Sequence, residues 1–369
     1  MYPFVRLDEA RARAAAEGLE ILDFGVGDPR GVPEPFIREA LVRALDQAGG
    51  YPRAQGLPDL RRAIAGWCTR RFGVKIDPET EVLPTLGSKE AIFSFAQVVV
   101  DRDGGKDTVA VTEPGYPVPE RGARFAGARV EHVPLAPPDF LPDLDAVDDS
   151  VWERMALFWV NYPNNPTGTV APPSLYEQLA ARAREYGFVL ASDEAYSELW
   201  FDERPGSALQ VGDRANVVVF NTLSKRSSMT GYRSGFVAGD PEVIGAFRDY
   251  RPSVGTAPQE FVQRASVAAW EDEGHVELAR AGYARRREIF LEVLERKGVR
   301  TPSRATMYLW IEIPDGEASE AFAARLLERG LVVTPGSYLG RSGEGYVRLA
   351  LVHDEDACRR AAEILEAAL

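Results

Sequence analysis

The stretch VVVFNTLSKRSSMTGYRSG, residues 217–235, is the part of the sequence from which the fold is most readily inferred. Its first four residues, Val217 to Phe220, are apolar and predict a short buried strand. A polar turn punctuated by glycine follows, and three polar residues lie where the strand ends: Thr222, Ser224 and Lys225. Arg233 comes eight residues after the lysine, inside GYRSG. The stretch thus predicts a lysine at the end of a buried strand, with hydroxyls and an arginine nearby.

A lysine in such a position is costly unless it is paired, neutral or covalently used. Desolvation lowers the pKa of a lysine and frees its lone pair, so Lys225 is a candidate for covalent attachment to an aldehyde. The Thr222 hydroxyl and the Arg233 guanidinium supply donors for a dianionic phosphate. These groups fit an aldehyde cofactor that carries a phosphate, which is pyridoxal phosphate. A surface turn with a solvated lysine and arginine fits about as well, so this stretch alone does not decide.

The composition indicates a globular, acidic protein. With 369 residues and 45% hydrophobic content, the chain can bury a large core and is expected to form two lobes. The net charge of -13 and the pI of about 5.0 disfavour nucleic acid and anionic membranes as partners. No apolar run approaches the length of a membrane span. The first residues are charged and amphipathic, unlike a secretory signal.

The few cysteines and histidines bear on the compartment and on metal binding. Cys68 and Cys358 are far apart in the sequence, and we expect them to be free, buried thiols in a reducing cytoplasm. The sequence has neither HExxH nor CxxC, and its three histidines are scattered: His132, His275 and His353. We therefore expect a cytoplasmic protein without a metal site.

Amphipathic segments predict the helices of the first half of the chain. Residues 5–17 are expected to form a helical N-terminal arm, and residues 33–47 a helix with one apolar face. A further helix is expected to start at Pro58. Another should start with Ser88 as its N-cap, so that the free N–H groups of its first turn face any nearby anion. The next helix is expected to begin with a capping box formed by Ser174 and Glu177. It is expected to end at Gly187.

Three further strands are expected to end in polar turns. TVAVTEPGYP leads to Tyr116, ALFWVNYPNNPTG leads to Asn165, and FVLASDEAY leads to Asp193 and Tyr196. Strands that alternate with helices, without hairpin signals, predict a parallel sheet with crossover connections. In such sheets functional residues gather beyond the carboxyl ends of the strands. The coincidence of these polar residues at strand ends predicts a site more strongly than any single motif.

The rest of the chain is expected to form a second lobe. Residues 239–297 are mainly helical, and the strand-like pieces MYLWIEI and YVRLALV then flank a helix over residues 319–329. A last helix is expected over residues 355–369. We predict an N-terminal arm with part of the small domain, a large domain and a small C-terminal domain, over residues 1–45, 46–280 and 281–369 respectively.

Three motifs, in this order, resemble the class I/II aminotransferases, which are pyridoxal-phosphate enzymes of fold type I: NNPTG, SDEAY, and LSK followed by GYRSG. The resemblance extends from about Leu22 to the C-terminus. It implies an α/β fold, with a mostly parallel sheet between helices in a large domain and a smaller α/β domain. It also implies pyridoxal 5′-phosphate as cofactor and an obligate homodimer with shared active sites.

The resemblance gives each motif residue a role. Lys225 would bind the cofactor covalently and act as the base that moves the α-proton of the substrate. Asp193 would keep the pyridine nitrogen protonated, while Asn165 and Tyr196 would hydrogen-bond the 3-oxygen of the ring. Tyr116 would stack on the ring. The phosphate would be held by five residues, the last of them from the neighbouring subunit: Ser88, Lys89, Thr222, Arg233 and Tyr51.

The resemblance also predicts how a substrate is bound. Arg348 matches the arginine that binds the α-carboxylate of the substrate in this family, and Val26 and Gly27 would close over it. Segments such as PTLGSKEAIF and PGSYLGRSGEGYVRLALV are similar to the succinyldiaminopimelate transaminases of lysine biosynthesis. This similarity implies a ping-pong transfer between N-succinyl-LL-2,6-diaminopimelate and 2-oxoglutarate, with glutamate as the usual amino donor. Arg251 is hypothesised to meet a distal carboxylate of the substrate, although an ordinary surface arginine fits about as well.

Two other functions share the same residues. One is a different aminotransferase of the family, acting on aspartate, alanine or LL-diaminopimelate. The other is a pyridoxal-phosphate-dependent C–S lyase, which would also use Lys225, Asp193 and Arg348. A transcription regulator that uses this fold as a ligand sensor is disfavoured, because only about twenty residues precede the first predicted strand and the net charge is unfavourable for DNA.

Overall fold

The computed structural model describes Glu9, Arg11, Ala12, Ala16 and residues 18–47 and 49–369, so the helix predicted over residues 5–17 falls mostly outside the described residues. The strands of the described part are β1 (Leu22–Asp23), β2 (Val82–Thr85), β3 (Thr108–Glu113), β4 (Arg129–Ala136), β5 (Leu141–Pro142), β6 (Met155–Asn161), β7 (Val189–Asp193), β8 (Val217–Thr222), β9 (Gly235–Gly239), β10 (Tyr308–Glu312), β11 (Leu331–Val332), β12 (Thr334–Pro335) and β13 (Tyr346–Ala350). The α-helices of the same ranges are α1 (Pro35–Leu45), α2 (Pro58–Phe72), α3 (Ser88–Val99), α4 (Val118–Phe125), α5 (Asp149–Arg154), α6 (Pro173–Tyr186), α7 (Leu223–Arg226), α8 (Pro241–Tyr250), α9 (Glu260–Glu271), α10 (Gly274–Lys297), α11 (Ser319–Leu327) and α12 (Glu355–Ala368).

Eight strands form one sheet in the order β2-β9-β8-β7-β6-β3-β4-β5. The strands from β8 to β4 in this order run parallel, whereas β9 is antiparallel to β8 and β2, and β5 is antiparallel to β4. The predicted mostly parallel sheet is therefore confirmed. Because β6, β7 and β8 are parallel neighbours, the residues that end them come to one edge of the sheet: Asn161, Asp193 and Thr222.

The central strands read as unbroken apolar runs because helices cover both faces of the sheet. Alternate residues of β8 enter two different hydrophobic clusters. Val219 packs in the cluster that contains Trp67 and Trp270, and Phe220 packs in the cluster that contains Phe95. The sheet therefore forms a rigid middle layer that fixes the positions of the strand ends.

A second core forms around the antiparallel sheet β10-β13-β12 and helices α10 to α12. The N-terminal strand β1 joins this core, where Leu22 pairs in parallel register with Leu331. Ile37 of α1 instead packs in the core of the large sheet. The boundary predicted at residue 45 thus cuts between elements that pack together, and we propose a domain boundary between β1 and α1 in its place.

The helix predicted from Ser88 is present, but its cap differs from the prediction. Ser88 is the first helical residue rather than the N-cap, and Gly87 caps the helix with a φ of 73°. This left-handed conformation favours glycine over serine, and a Cβ atom at Gly87 would lie 2.6 Å from Nη2 of Arg233. The positive φ, which glycine adopts without strain, therefore decides which residue occupies the cap.

The capping box predicted for α6 is wrong. The helix begins at Pro173, so Ser174 already lies within its first turn. A proline at this position needs no N–H partner and has the φ angle of a helix, which makes a capping side chain unnecessary. Gly187 ends the helix in the left-handed conformation, with a φ of 69°, as predicted.

The packing of Phe95 generates a stability prediction. Its ring makes edge-to-face contacts with Trp159, Phe220 and Phe247, with centroids 6.0, 5.2 and 5.4 Å away. Phe95→Ala should therefore cost about 3–5 kcal/mol and lower the melting temperature of the protein, measured by circular dichroism. Phe125→Ala is the matched control because its ring is 76% exposed. Equal melting temperatures for the two variants would contradict the assignment of Phe95 to the core.

Candidate active site

Lys225 lies on the single helical turn α7, directly after strand β8. Thr222 caps this turn, and its Oγ1 accepts a hydrogen bond from the Ser224 N–H at 3.2 Å. The Nζ atom of Lys225 donates to the carbonyl oxygen of Gly27 at 2.5 Å. Burial lowers the pKa of this amine. A lysine whose pKa is lowered loses its proton more readily, which favours its use as a nucleophile and as a base.

Asp193 ends β7, the strand beside β8, and its side chain is buried. One carboxylate oxygen, Oδ1, accepts a hydrogen bond from the Ala195 N–H at 3.2 Å. Burial raises the pKa of this carboxyl to about 7, although that bond and the nearby charge of Lys225 act in the opposite direction. A buried carboxylate that is so weakly compensated is a strong partner for a cation placed beside it, such as a protonated pyridine nitrogen.

Arg348 joins the second lobe to the large sheet at the site. Its Nη1 donates to Oδ1 of Asn165 at 2.9 Å, and its Nη2 donates to the carbonyl oxygen of Gly25 at 2.8 Å. Asn165 is itself held by Asn161, whose Oδ1 accepts from the Asn165 N–H at 2.8 Å. The guanidinium is therefore oriented by neutral oxygens. A substrate carboxylate can compete with them because it forms stronger, charge-assisted hydrogen bonds.

Tyr308, the first residue of β10, lies among these groups, although the sequence analysis did not single it out. Its hydroxyl is 3.2 Å from the hydroxyl of Tyr196, and its ring centroid is 4.4 Å from Cζ of Arg348. A Cβ atom at Gly27 would lie 1.9 Å from the Tyr308 hydroxyl oxygen. The motif MYLWIEI predicts only an alternating strand, and nothing in it indicates that this strand pairs with the one that carries Arg348.

Two of the predicted phosphate-binding residues, Ser88 and Arg233, lie together where α3 begins. Arg233 donates through Nη2 to the Leu86 carbonyl oxygen at 3.2 Å and through Nη1 to the Thr230 carbonyl oxygen at 2.8 Å. A Cβ atom at Gly235 would lie 3.0 Å from the backbone nitrogen of Ser88, so strand β9 passes close to the first turn of the helix. A helix N-terminus beside an exposed guanidinium forms a cradle for an anion.

A second hydroxyl lies beside that of Thr222. The Oγ1 atom of Thr222 lies 3.0 Å from Oγ of Ser224, which is buried. The sequence analysis placed Ser224 at the end of the strand without assigning it to the phosphate. Ser224 could have been found from the sequence, because it lies only two residues after the predicted phosphate ligand Thr222. A turn of this length brings the two hydroxyls close together.

The remaining predicted site residues lie at or near the surface of the single chain. Lys89 is an exposed residue of the first turn of α3, and Val26 is 42% exposed. Tyr116 is half-buried and packs against the cluster that contains Phe95. Tyr51 has a relative exposure of 101%, so its whole side chain is accessible in the single chain.

The known proteins to which this chain is similar are aminotransferases. The family model described as aminotransferase class I and II matches residues 20–365. The LL-diaminopimelate aminotransferase of Nitratidesulfovibrio vulgaris strain Hildenborough is 38% identical over 377 residues, which cover 98% of this chain and 96% of that protein. An aminotransferase crystal structure from Neisseria meningitidis Z2491 has a TM-score of 0.94 and 38% identity, with 100% of this chain and 98% of that chain covered. A Thermus thermophilus structure, described as a probable N-succinyldiaminopimelate aminotransferase, has a TM-score of 0.92 and 32% identity, with coverages of 99% and 100%.

The chain belongs to the class I/II aminotransferases. This family is pyridoxal-phosphate-dependent and has the fold of type I, as the sequence motifs predicted. The aminotransferase also carries the groups that the cofactor requires. The Lys225 amine is available for its aldehyde, the buried Asp193 carboxylate for its ring nitrogen, and the cradle of Gly87 and Arg233 for its phosphate.

Three further features of the aminotransferase concern metal binding, its cysteines and membrane spanning. Among the described residues, no group of three or more histidine, cysteine, aspartate or glutamate side chains is placed to hold a metal ion. Cys68 and Cys358 are free and buried, as predicted. No helix in the described ranges is long and apolar enough to cross a membrane.

A large cavity in the described part of the aminotransferase lies apart from these residues. Its volume is about 1050 Å³, and its walls include residues 137–141, 169–173, 203–206 and 300–302. None of the predicted site residues lines it. Side-chain chemistry at the strand ends, rather than cavity size, therefore identifies the candidate active site.

Arg251 lies where it has a carboxylate partner within the chain. Its side chain is buried, and Nη2 donates to Oε1 of Glu90 at 3.0 Å, while Nη1 donates to Oε2 at 3.3 Å. Its guanidinium also lies over the ring of Phe247, with Cζ 5.3 Å from the centroid. The hypothesis that Arg251 meets a distal carboxylate of the substrate needs a guanidinium that is not already committed. This geometry instead supports a role in holding the turn Arg251–Val254 against α3.

Arg251→Ala distinguishes the two roles. The substitution leaves the partly buried Glu90 without its partner, so we expect a loss of up to about 3 kcal/mol and a melting temperature lower by several degrees. The ratio of the KM for dicarboxylic substrates to the KM for alanine should stay within about twofold of the wild-type ratio. Arg248→Ala, at a partly exposed position of α8, serves as the control. A selective rise in the dicarboxylic KM at unchanged stability would restore the substrate role.

Asp193→Asn tests the buried carboxyl. In the cofactor-free protein, the pKa raised to about 7 means that the folded state binds the proton more tightly than the unfolded chain, whose carboxyl has a pKa of 3.8. The carboxyl therefore destabilises the fold increasingly as the pH rises from about 4 to about 7. Cofactor-free Asp193→Asn should melt above the wild type at about pH 8, and the difference should shrink towards pH 5.

In the enzyme loaded with cofactor, Asp193→Asn should melt below the wild type. The Asp193 carboxylate would then be paired with the protonated ring nitrogen of the cofactor, and the variant would lose this pair. Turnover of Asp193→Asn should fall roughly 10²-fold or more. Glu194→Gln is the matched control, since burial also raises the pKa of Glu194 to about 7 while its Oε1 accepts from Ser192 and Ala208. If loading with cofactor stabilised both variants equally, Asp193 would not be the partner of the ring.

Proposed function

We propose that this aminotransferase moves an amino group between a diaminopimelate-type amino acid and 2-oxoglutarate by a ping-pong mechanism. The observation that carries the proposal is the convergence of a desolvated lysine, a buried carboxylate and a buried arginine. Lys225 and Asp193 lie at the carboxyl ends of neighbouring parallel strands, and Arg348 comes from the middle of β13 in the second lobe. Lys225 and Asp193 supply the chemistry of the family, and Arg348 supplies a bidentate site for the α-carboxylate. Bound pyridoxal phosphate supplies the electron sink for the carbanion formed at the α-carbon.

The residues divide the work by their positions. Lys225 takes the proton from the α-carbon of the substrate as a base and delivers it again as an acid in a later step. The lowered pKa of the amine favours this role. Arg348 fixes the carboxylate end of the substrate, and Asn165 holds the guanidinium in place. The anion cradle at α3 binds the phosphate at the far end of the cofactor. Fixing both ends limits the reacting atoms to one geometry, which lowers the entropic part of the barrier.

The choice of substrate rests on the similar proteins. LL-diaminopimelate aminotransferases from several organisms are 36–39% identical to this chain over nearly its whole length. We therefore propose LL-diaminopimelate, with a free distal amine, as the preferred substrate. The N-succinyl derivative, expected from the sequence, is the second candidate, and the similar Thermus thermophilus structure favours it. The two differ in charge at the distal nitrogen, which is cationic in the first and a neutral amide in the second.

We also propose that the working unit is a cytoplasmic homodimer. Tyr51 supports the presence of a second subunit. It matches a tyrosine that binds the phosphate in this family, and its ring is fully exposed in the single chain. A neighbouring subunit that covers this ring would explain why an aromatic side chain lies at the surface. In this arrangement the Tyr51 hydroxyl of one protomer donates to the phosphate in its neighbour. The phosphate end of each site is then completed only by association.

A panel of amino donors tests the proposed function. With 2-oxoglutarate as acceptor, we expect LL-diaminopimelate to have the highest kcat/KM, ahead of N-succinyl-LL-diaminopimelate, and aspartate and alanine to be at least about tenfold lower. Glutamate formation measures the transfer. Lys225→Ala serves as the blank, because it removes the base and the covalent attachment while the rest of the site remains. Its visible absorbance should lack the band that the wild-type holoenzyme shows.

The same panel contains the result that would overturn the proposal. Release of pyruvate and ammonia from cystathionine, without amino transfer to 2-oxoglutarate, would identify the alternative C–S lyase. Preference for aspartate or alanine would keep the aminotransferase family and remove the diaminopimelate assignment. A clear preference for the N-succinyl substrate would replace the free amine by its acylated form.

A further inference from the structure

Tyr308 occupies the space between three parts of the site. It begins strand β10, and its N–H donates to Oγ1 of Thr306 at 3.1 Å. Its side chain is 3% exposed, so the hydroxyl is removed from bulk water. The hydroxyl points to Tyr196 and the ring face to Arg348. One buried side chain thus contacts both a predicted cofactor-binding group and a predicted substrate-binding group.

We propose that Tyr308 is a positioning residue of this aminotransferase, whose hydroxyl orients that of Tyr196 while its ring orients the guanidinium of Arg348. The inference rests on the roles proposed for Tyr196 and Arg348 and adds a residue that acts through both of them.

The hydroxyl contact carries the first part of the argument. Tyr196 and Tyr308 are both buried, and their hydroxyl oxygens are 3.2 Å apart. When Tyr308 donates, the proton of Tyr196 is left to point at another acceptor. Tyr196 is predicted to donate to the 3-oxygen of the cofactor, which is such an acceptor. A hydroxyl that receives a hydrogen bond is a better donor, so Tyr308 strengthens the bond that Tyr196 makes.

The ring contact carries the second part. The centroid of Tyr308 lies 4.4 Å from Cζ of Arg348, within the range of a cation–π interaction in a desolvated place. A guanidinium held over this ring face is restricted in the positions that it can take. Its Nη atoms then meet Asn165 and Gly25. A substrate carboxylate that replaces these acceptors finds the guanidinium already aligned.

Gly27 shows that the site is built around this tyrosine. A Cβ atom there would overlap the Tyr308 ring and its hydroxyl oxygen, with separations of 2.5 and 1.9 Å. Gly27 does not have a left-handed backbone conformation. The need for a glycine at this position therefore comes from the space that Tyr308 occupies rather than from the turn.

The charged and titratable groups around Tyr308 come from five separate segments of the chain. Burial raises the pKa of this hydroxyl, but Arg348, Lys225 and the hydrogen bond to Tyr196 together outweigh burial, and the net effect lowers the pKa. The groups that face it electrostatically are Tyr196, Lys225, Arg348, Asp28 and Tyr283. Any change at Tyr308 is therefore expected to alter protonation at the site as well as geometry.

Two substitutions separate the hydroxyl from the ring. Tyr308→Phe removes the hydroxyl and keeps the face over Arg348, whereas Tyr308→Leu removes both. In the holoenzyme, the pH midpoint of the visible absorbance of the cofactor should move up by at least about half a unit in both variants, because a weaker bond from Tyr196 stabilises negative charge on the 3-oxygen less. The KM for the amino donor should stay within about twofold for Tyr308→Phe and rise at least about tenfold for Tyr308→Leu.

Tyr346→Phe is the control. It makes the same chemical change on strand β13, where the ring of Tyr346 stacks on Trp310 away from the site. We expect its absorbance midpoint and KM to match those of the wild type. An unchanged midpoint in Tyr308→Phe, or equal KM values for the Phe and Leu variants, would overturn the inference. Should the Leu variant fail to fold, as judged by circular dichroism, the midpoint of the Phe variant decides alone.

The absorbance titration also separates this inference from the proposed function. It requires only the bound cofactor and no substrate. A shifted midpoint in an enzyme that prefers another amino donor would keep Tyr308 as a positioning residue and remove the diaminopimelate assignment. An unshifted midpoint in an enzyme that prefers diaminopimelate would keep the diaminopimelate assignment and remove Tyr308 as a positioning residue.

Discussion

Desolvation at the edge of the large sheet is the constraint on which the site depends. Asp193 and Lys225 end neighbouring segments of a sheet whose central strands are buried on both faces, so neither group is fully hydrated. Burial raises the pKa of the first to about 7 and lowers that of the second from its ordinary value, so both shifts favour the uncharged form. The fold therefore holds side by side two groups whose charged forms are disfavoured until a partner is bound.

The second lobe adds recognition to this chemistry through a small number of contacts. Arg348 comes from the antiparallel sheet and meets Asn165, which follows β6 of the large sheet. A second link lies behind the same turn, where Ser303 donates to the carbonyl oxygen of Thr167 and the Ala305 N–H donates to that of Gly168. The turn that carries Asn165 is thus held from both sides by the second lobe. A shift of this lobe would consequently change the orientation of the asparagine as well.

The sequence predicted what local pattern determines and missed what depends on tertiary neighbours. The strands that end at Asp193 and Thr222 were predictable because buried parallel strands are continuous apolar runs. The cap at Gly87 was not, because serine is a good capping residue and only the backbone conformation, with a φ of 73°, favours the glycine one residue earlier. The partner of Arg251 could not be predicted either, because it lies on a helix far away in the sequence. Tyr308 was missed for the same reason, since the pairing of its strand with β13 cannot be read from either strand alone.

The stretch from Gly25 to Gly27 brings the two cations of the site onto one short piece of backbone. The Gly25 carbonyl oxygen accepts from Arg348 at 2.8 Å, and the Gly27 carbonyl oxygen accepts from Lys225 at 2.5 Å. Oγ1 of Thr334 also donates to the Gly25 carbonyl oxygen, at 2.7 Å, so this carbonyl keeps a donor when a substrate carboxylate takes over the arginine. A bend of three residues therefore ties the amine and the arginine to the second lobe, from which Thr334 comes.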